Sequence, residues 1–143
     1  MPIFPDYDSF AAAYEKGEAQ IVSTRLVADL ETPVSAMLKL TRSAKYSFLL
    51  ESVEGGAVRG RYSIIGMNPD MIWKVAGSEA SINRKALHNP DGPFEPARLA
   101  PLESLRALLA ESRITLGSDA PPMAAGVFGY IGYDMVRLME DLP

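Results

Sequence analysis

The stretch that decides the fold is Ser47–Gly66, SFLLESVEGGAVRGRYSIIG. A run of strand formers reaches an acid and a hydroxyl at Glu51-Ser52, turns through Val53-Glu54-Gly55-Gly56, and resumes at Arg61-Tyr62-Ser63 with more strand formers. Two β-type runs separated by a glycine pair predict a hairpin. Side chains alternate along a strand, so Ser47, Leu49 and Glu51 share one face, and Phe48, Leu50 and Ser52 the other. A carboxylate placed where an apolar strand leaves the core must be solvated, paired or bound to a cationic group. Glu51, Ser52 and Arg61 together offer an acceptor for an ammonium, a hydroxyl and a donor for a carboxylate, the three groups that an amino acid requires. A cross-strand Glu51–Arg61 salt bridge accounts for the same residues and is the simpler reading of them.

Outward from the hairpin, β-type runs at Tyr46–Ser52, Arg61–Met67, Asp70–Ala76 and Glu79–Arg84 are separated by Gly55-Gly56, Asn68-Pro69 and Gly77-Ser78. Spacing this close predicts an antiparallel meander. Thr32-Pro33 places a hydroxyl cap before proline at the first helical position, opening a helix through Val34, Met37, Leu38 and Leu40. Asp8 or Ser9 can cap an earlier helix carrying Phe10, Ala13 and Tyr14, with Gly17 as its stop. Gln20–Ala28 reads as a strand. After a polar loop from His88 to Pro96, Pro101 starts a helix whose Leu102, Leu105, Leu108 and Leu109 form one apolar stripe. A last strand, Ala124–Tyr133, and a helix from near Asp134 complete the expectation. The fold class is α+β, with helices packed on an antiparallel sheet, and 143 residues make one domain with a core of its own. The ending at Asp141-Leu142-Pro143 suggests a piece of a longer protein.

Bulk properties narrow the function. The net charge is −4, and the 14 Lys and Arg residues are dispersed, so no basic stripe exists for nucleic acid. Cysteine is absent, which removes disulfides, thiolate nucleophiles and cysteine-ligated zinc. The N-terminus MPIFPDYD lacks the basic and apolar regions of a signal peptide, and the charge-free stretch Ala120–Tyr133 is too short and too broken to span a bilayer. A cytoplasmic protein is expected. The single histidine, His88, reads as a solvated turn residue. No phosphate-loop or nucleophile-elbow motif occurs, and the glycines of GVFGYIG (126–132) read as positions where another backbone or a bound molecule approaches a strand.

Several segments carry a family resemblance. LLES (49–52), EGG (54–56) and GRYSIIG (60–66) closely resemble the N-terminal domain of component I of anthranilate synthase. DLETPVSAMLKL (29–40) is similar to that family's helix entry, and GYIGYDMVR (129–137) to its Gly-Tyr-x-x-Tyr-Asp segment. The resemblance implies a regulatory domain within a larger two-sheet chorismate-binding architecture. In that family the whole protein converts chorismate to anthranilate, using ammonia from a glutamine amidotransferase partner and a magnesium ion in its C-terminal catalytic domain.

Carried across residue by residue, Glu51 and Ser52 match the acid and serine that contact the feedback inhibitor L-tryptophan. Leu50 would line the indole slot, and Arg61 or Tyr62 would occupy the place that matches the family's basic residue. Tyr130 and Tyr133 match the Tyr-x-x-Tyr segment without an assigned contact. The chorismate- and magnesium-binding residues, and the segment completing the tryptophan pocket, would lie beyond Pro143, so this chain alone is expected to be non-catalytic. Component I of aminodeoxychorismate synthase shares similar N-terminal strands, although RYSIIG and DLETPVSA favour anthranilate synthase. A free-standing amino-acid-binding module is the alternative of another class.

Overall fold

A computed structural model describes residues 1–51, 62–117, 120–121 and 123–141. It is α+β, with short antiparallel sheets and helices. The chain divides into two compact units, one formed by Met1–Val27 together with Leu102–Pro143, the other by Ala28–Pro101.

In the first unit, strand β1 (Ile3–Phe4) pairs antiparallel with β2 (Ser23–Thr24) around helix α1 (Tyr7–Glu15). Helix α1 begins at Asp6, whose side chain accepts from the Ser9 amide at 3.0 Å, so the cap is Asp6 rather than Asp8 or Ser9. Asp6 is the residue whose backbone is extended, which is what a cap requires. Gly17 follows the helix in the left-handed region (φ +69°), as the expected stop. The Phe10 and Tyr14 rings stack with centroids 5.8 Å apart, and Gln20 reaches back to the Phe10 carbonyl.

The strand expected over Gln20–Ala28 contracts to Ser23–Thr24. Only these two residues pair with another strand, and Val22, Leu26 and Val27 stay exposed. Helix α3 (Pro101–Glu111), which opens at the boundary between the units, buries Leu108 and half-buries Leu102 and Leu105, while Leu109 lies at the edge of the stripe.

The expected strand over Ala124–Tyr133 does not form; those residues have no regular structure before a 3-10 turn at Tyr133–Leu138, which stands where a helix was expected. Among the described residues no other strand's backbone approaches its glycines closely. A Cβ added at Gly129 meets nothing within 4 Å, and one at Gly126 meets only Phe128 at 3.7 Å. Three glycines in seven residues cost backbone entropy that a strand without a pairing partner cannot offset.

The second unit holds helix α2 (Pro33–Leu40) and five strands: β3 (Phe48–Glu51), β4 (Ser63–Gly66), β5 (Ile72–Ala76), β6 (Glu79–Asn83) and β7 (Glu95–Pro96). The α2 start has the form expected, with Thr32 accepting from the Ser35 amide, Ser35 accepting from the Thr32 amide, and Pro33 at the first turn. Among the described residues the meander is not continuous. Strands β3 and β4 form one antiparallel pair and β5–β6–β7 a separate three-stranded sheet. Between them Asn68 takes a left-handed φ of +50° directly before Pro69, redirecting the chain so that β5 does not continue alongside β4. Helix α2 packs against β3 and β4.

The β5–β6 turn places Gly77 at φ +61° as its first central residue, the arrangement of a type II′ hairpin. Two residues of the loop expected from His88 to Pro96 instead form β7, paired to Ser81 and Ile82. Lys74, on β5, holds its ammonium 3.7 Å from the centroid of the Phe94 ring.

Candidate functional site at the end of the hairpin

The β3–β4 pair has a fixed register: Phe48 faces Gly66, Leu49 faces Ile65, Leu50 faces Ile64, and Glu51 faces Ser63. The base of the hairpin is its packed end. The Phe48 ring lies across Gly66 so closely that a Cβ added there would sit 2.2 Å from the ring, which makes residue 66 a glycine by necessity. Nothing in the sequence marks this constraint, since Gly66 lies inside the β-type run Arg61–Met67; an aromatic residue opposite a strand glycine becomes recognisable once the register is known.

Toward the other end the cover falls away. Phe48 and Leu49 are half-buried, whereas Leu50 (46% exposed) and Glu51 both face solvent. Alternation put Leu50 and Phe48 on one face, and the family resemblance implied that Leu50 lines an apolar slot. In this unit neither face of β3 is fully covered at its end: Leu50 and Glu51 follow one another along the strand, so an exposed apolar side chain stands on one face and a solvated carboxylate on the other. The residue directly opposite Glu51 is Ser63, a hydroxyl-bearing neighbour. Ser52 and Arg61, the other two predicted site residues, lie outside the described residues, as does the proposed Glu51–Arg61 pair. Tyr62, the alternative to Arg61, is exposed. Tyr130 and Tyr133 belong to the first unit and are 91% and 87% exposed.

A second polar assembly, not singled out by the sequence, organises the loop after β6. Asn83 is only 3% exposed. Its Nδ2 donates to the Asn89 carbonyl at 2.8 Å, and its Oδ1 accepts from the Lys85 amide at 2.9 Å. The Asn89 carbonyl also accepts from the Gly92 amide at 3.0 Å, and the Asn89 amide donates to the Lys85 carbonyl at 2.8 Å. A buried amide that satisfies both its ends in this way pins the loop. A Cβ at Gly92 would meet Asn89 at 2.9 Å, so this turn too is closed to larger residues.

Beside the loop is a shallow depression of about 230 Å³, lined by Ser43, Lys45, Asn68, Pro69, Ala86, Leu87, Pro90 and Asp91. Lys45 forms an ion pair with Asp91 across it, and that hydrogen bond holds the Lys45 ammonium above its ordinary pKa. His88 is an exposed loop residue whose amide donates to the Lys85 carbonyl. Among the described residues no three His, Asp or Glu side chains converge to hold a metal, and no helix is long and apolar enough to cross a membrane.

The chain has clear relatives. It is 54% identical over 137 residues to anthranilate synthase component 1 of Cereibacter sphaeroides, a match covering 96% of this chain and 27% of that protein. It is 40% identical over 138 residues to anthranilate synthase component 1 of a Synechocystis species, again over 96% of this chain and 26% of the relative. The Thermus thermophilus protein of the same name is 39% identical over 119 residues, covering 82% of this chain and 23% of its own length. The chain therefore spans about a quarter of the length of the curated relatives it matches. No family model matches it, and no solved structure does. By these matches the chain belongs to the anthranilate synthase component 1 family and corresponds to the N-terminal region of its members.

Proposed function

We propose that this chain is the regulatory part of an anthranilate synthase and that the end of β3 at Glu51 forms part of its L-tryptophan feedback site. The observation that carries the reading is the exposed carboxylate of Glu51 at the end of a register-fixed strand, with the exposed Leu50 on the opposite face of the same strand end. An amino acid presents the ammonium that complements Glu51, and an indole side chain passing the strand end would meet Leu50 on the other face. Ser52 and Arg61 would complete the head-group contacts by the resemblance of LLES and GRYSIIG to the family.

The chemistry of chorismate amination belongs, in this reading, to the remainder of a longer protein. There magnesium would bind, and ammonia would arrive from a glutamine amidotransferase component in the cytoplasm. The chain alone would make no anthranilate from chorismate, ammonia and magnesium; appearance of the product would overturn that assignment. Inhibition would arise because tryptophan binds better to one arrangement of the whole enzyme than to the other, and the ratio of the two affinities sets the size of the effect.

The deciding experiment is an amide NMR titration of the isotope-labelled chain with L-tryptophan, with L-phenylalanine as the control. Selective shifts at Leu50, Glu51 and Ser52, abolished by Glu51→Gln, are expected. Equal responses to both amino acids, or shifts elsewhere only, would refute the site. In the full enzyme Ser52→Phe is expected to relieve tryptophan inhibition while leaving chorismate turnover nearly unchanged.

A further inference from the structure

We infer that the Lys45–Asp91 pair is a latch at the base of the β3–β4 hairpin that sets where Glu51 stands, making both residues positioning residues for the ligand site. The inference rests on the regulatory reading above. Three connections of the second unit converge on one depression: the segment leading into β3, the β4–β5 link and the loop after β6. Lys45 belongs to the first and Asp91 to the third, 46 residues apart, and their ion pair joins the segment entering the hairpin to the Asn83-pinned loop of the neighbouring sheet.

The geometry of the base gives this tie leverage. Both segments bordering the hairpin pass through a left-handed non-glycine residue, Tyr46 (φ +55°) on entry and Asn68 (φ +50°) on exit. Such backbone persists only where the surroundings enforce it, and for a residue as bulky as tyrosine it marks an imposed direction. Glu51 is three residues along β3 from Phe48, roughly 10 Å at the usual strand rise. A rotation of about 6° at the base then carries Glu51 through about 1 Å, enough to make or spoil a hydrogen bond. Lys45 and Asp91 are 61% and 58% exposed, so their tie is weak and reversible. A weak tie suits a part that must adopt two positions, since a strong one would hold a single position regardless of ligand.

The test uses the full-length enzyme with four variants: Lys45→Ala, Asp91→Ala, Lys45→Arg, and the reversed pair Lys45→Asp with Asp91→Lys. Each alanine variant is expected to raise the tryptophan concentration for half-inhibition by about two- to fivefold, the range open to an exposed pair. Lys45→Arg and the reversed pair should return it to within twofold of the parent, and turnover without inhibitor should not change. Equal half-inhibition in all four variants, or alanine effects that the reversed pair leaves uncorrected, would overturn the latch.

If the parent enzyme is not inhibited by tryptophan, the regulatory reading has failed, and the latch is then judged on the ligand-free chain. There Lys45→Ala should move the amide resonances of residues 48–51 and 63–66, and the reversed pair should restore them. Unmoved hairpin resonances would overturn the latch independently of any ligand.

Discussion

The second unit contains two antiparallel strand pairs that differ in how their described ends are covered. Strands β5 and β6 meet through the two-residue Gly77-Ser78 turn, and β6 is held on its far side by β7 and buries Ala80 and Asn83. Strands β3 and β4 are packed at their base by Phe48 over Gly66, and their described ends carry Leu50, Glu51 and Ser63 in solvent. The first hairpin is closed by local turn chemistry and used for structure. The second leaves polar and apolar groups exposed at its described end. The difference shows that a shared pairing pattern says little about role; what each strand end does with its polar groups says more.

The contrast can be broken from either side. The largest effect is expected at Asn83, where Asn83→Ala removes a buried amide that satisfies the Lys85 amide and the Asn89 carbonyl. Leaving a buried donor unsatisfied, together with the lost packing, should cost about 3 kcal/mol, read as a lower urea midpoint with unchanged m-value. Next is the base of the open hairpin. Gly66→Ala drives a methyl into the Phe48 ring and should cost about 2 kcal/mol, most of it recovered in combination with Phe48→Leu; additive losses in the double variant would contradict the steric account. Smallest is Gly77→Ala, which meets no neighbouring atom and pays only for its left-handed φ, about 1 kcal/mol by thermal unfolding. A Gly77 effect larger than that of Gly66 would mean that turn chemistry, rather than packing, governs both hairpins.

Which parts were legible in the sequence follows from the range of the forces involved. The Thr32-Pro33 start of α2, the stop at Gly17 and the Gly77-Ser78 turn were readable because each depends on residues a few positions apart. The Gln20–Ala28 and Ala124–Tyr133 runs have β-type composition, yet only Ser23–Thr24 became strand, because a strand exists only where a partner supplies its hydrogen bonds. Of the four candidate site residues, Leu50 and Glu51 stand at the end of β3, where alternation and the hydrophobic run had put them. Ser52 and Arg61 fall outside the described residues.

By itself, then, the sequence determined the α+β class, the Thr32-Pro33 start of α2, the Gly17 stop, the Gly77-Ser78 turn and the family, since these are written in local residue chemistry and in matched motifs. Only the tertiary structure decided that the meander splits into two sheets, that Gly66 must stay small beneath Phe48, that Asn83 pins the 85–92 loop, and that Lys45 meets Asp91. Each of these joins residues distant along the chain, or depends on a strand register that composition leaves open, and the folded backbone alone brings such partners within contact distance.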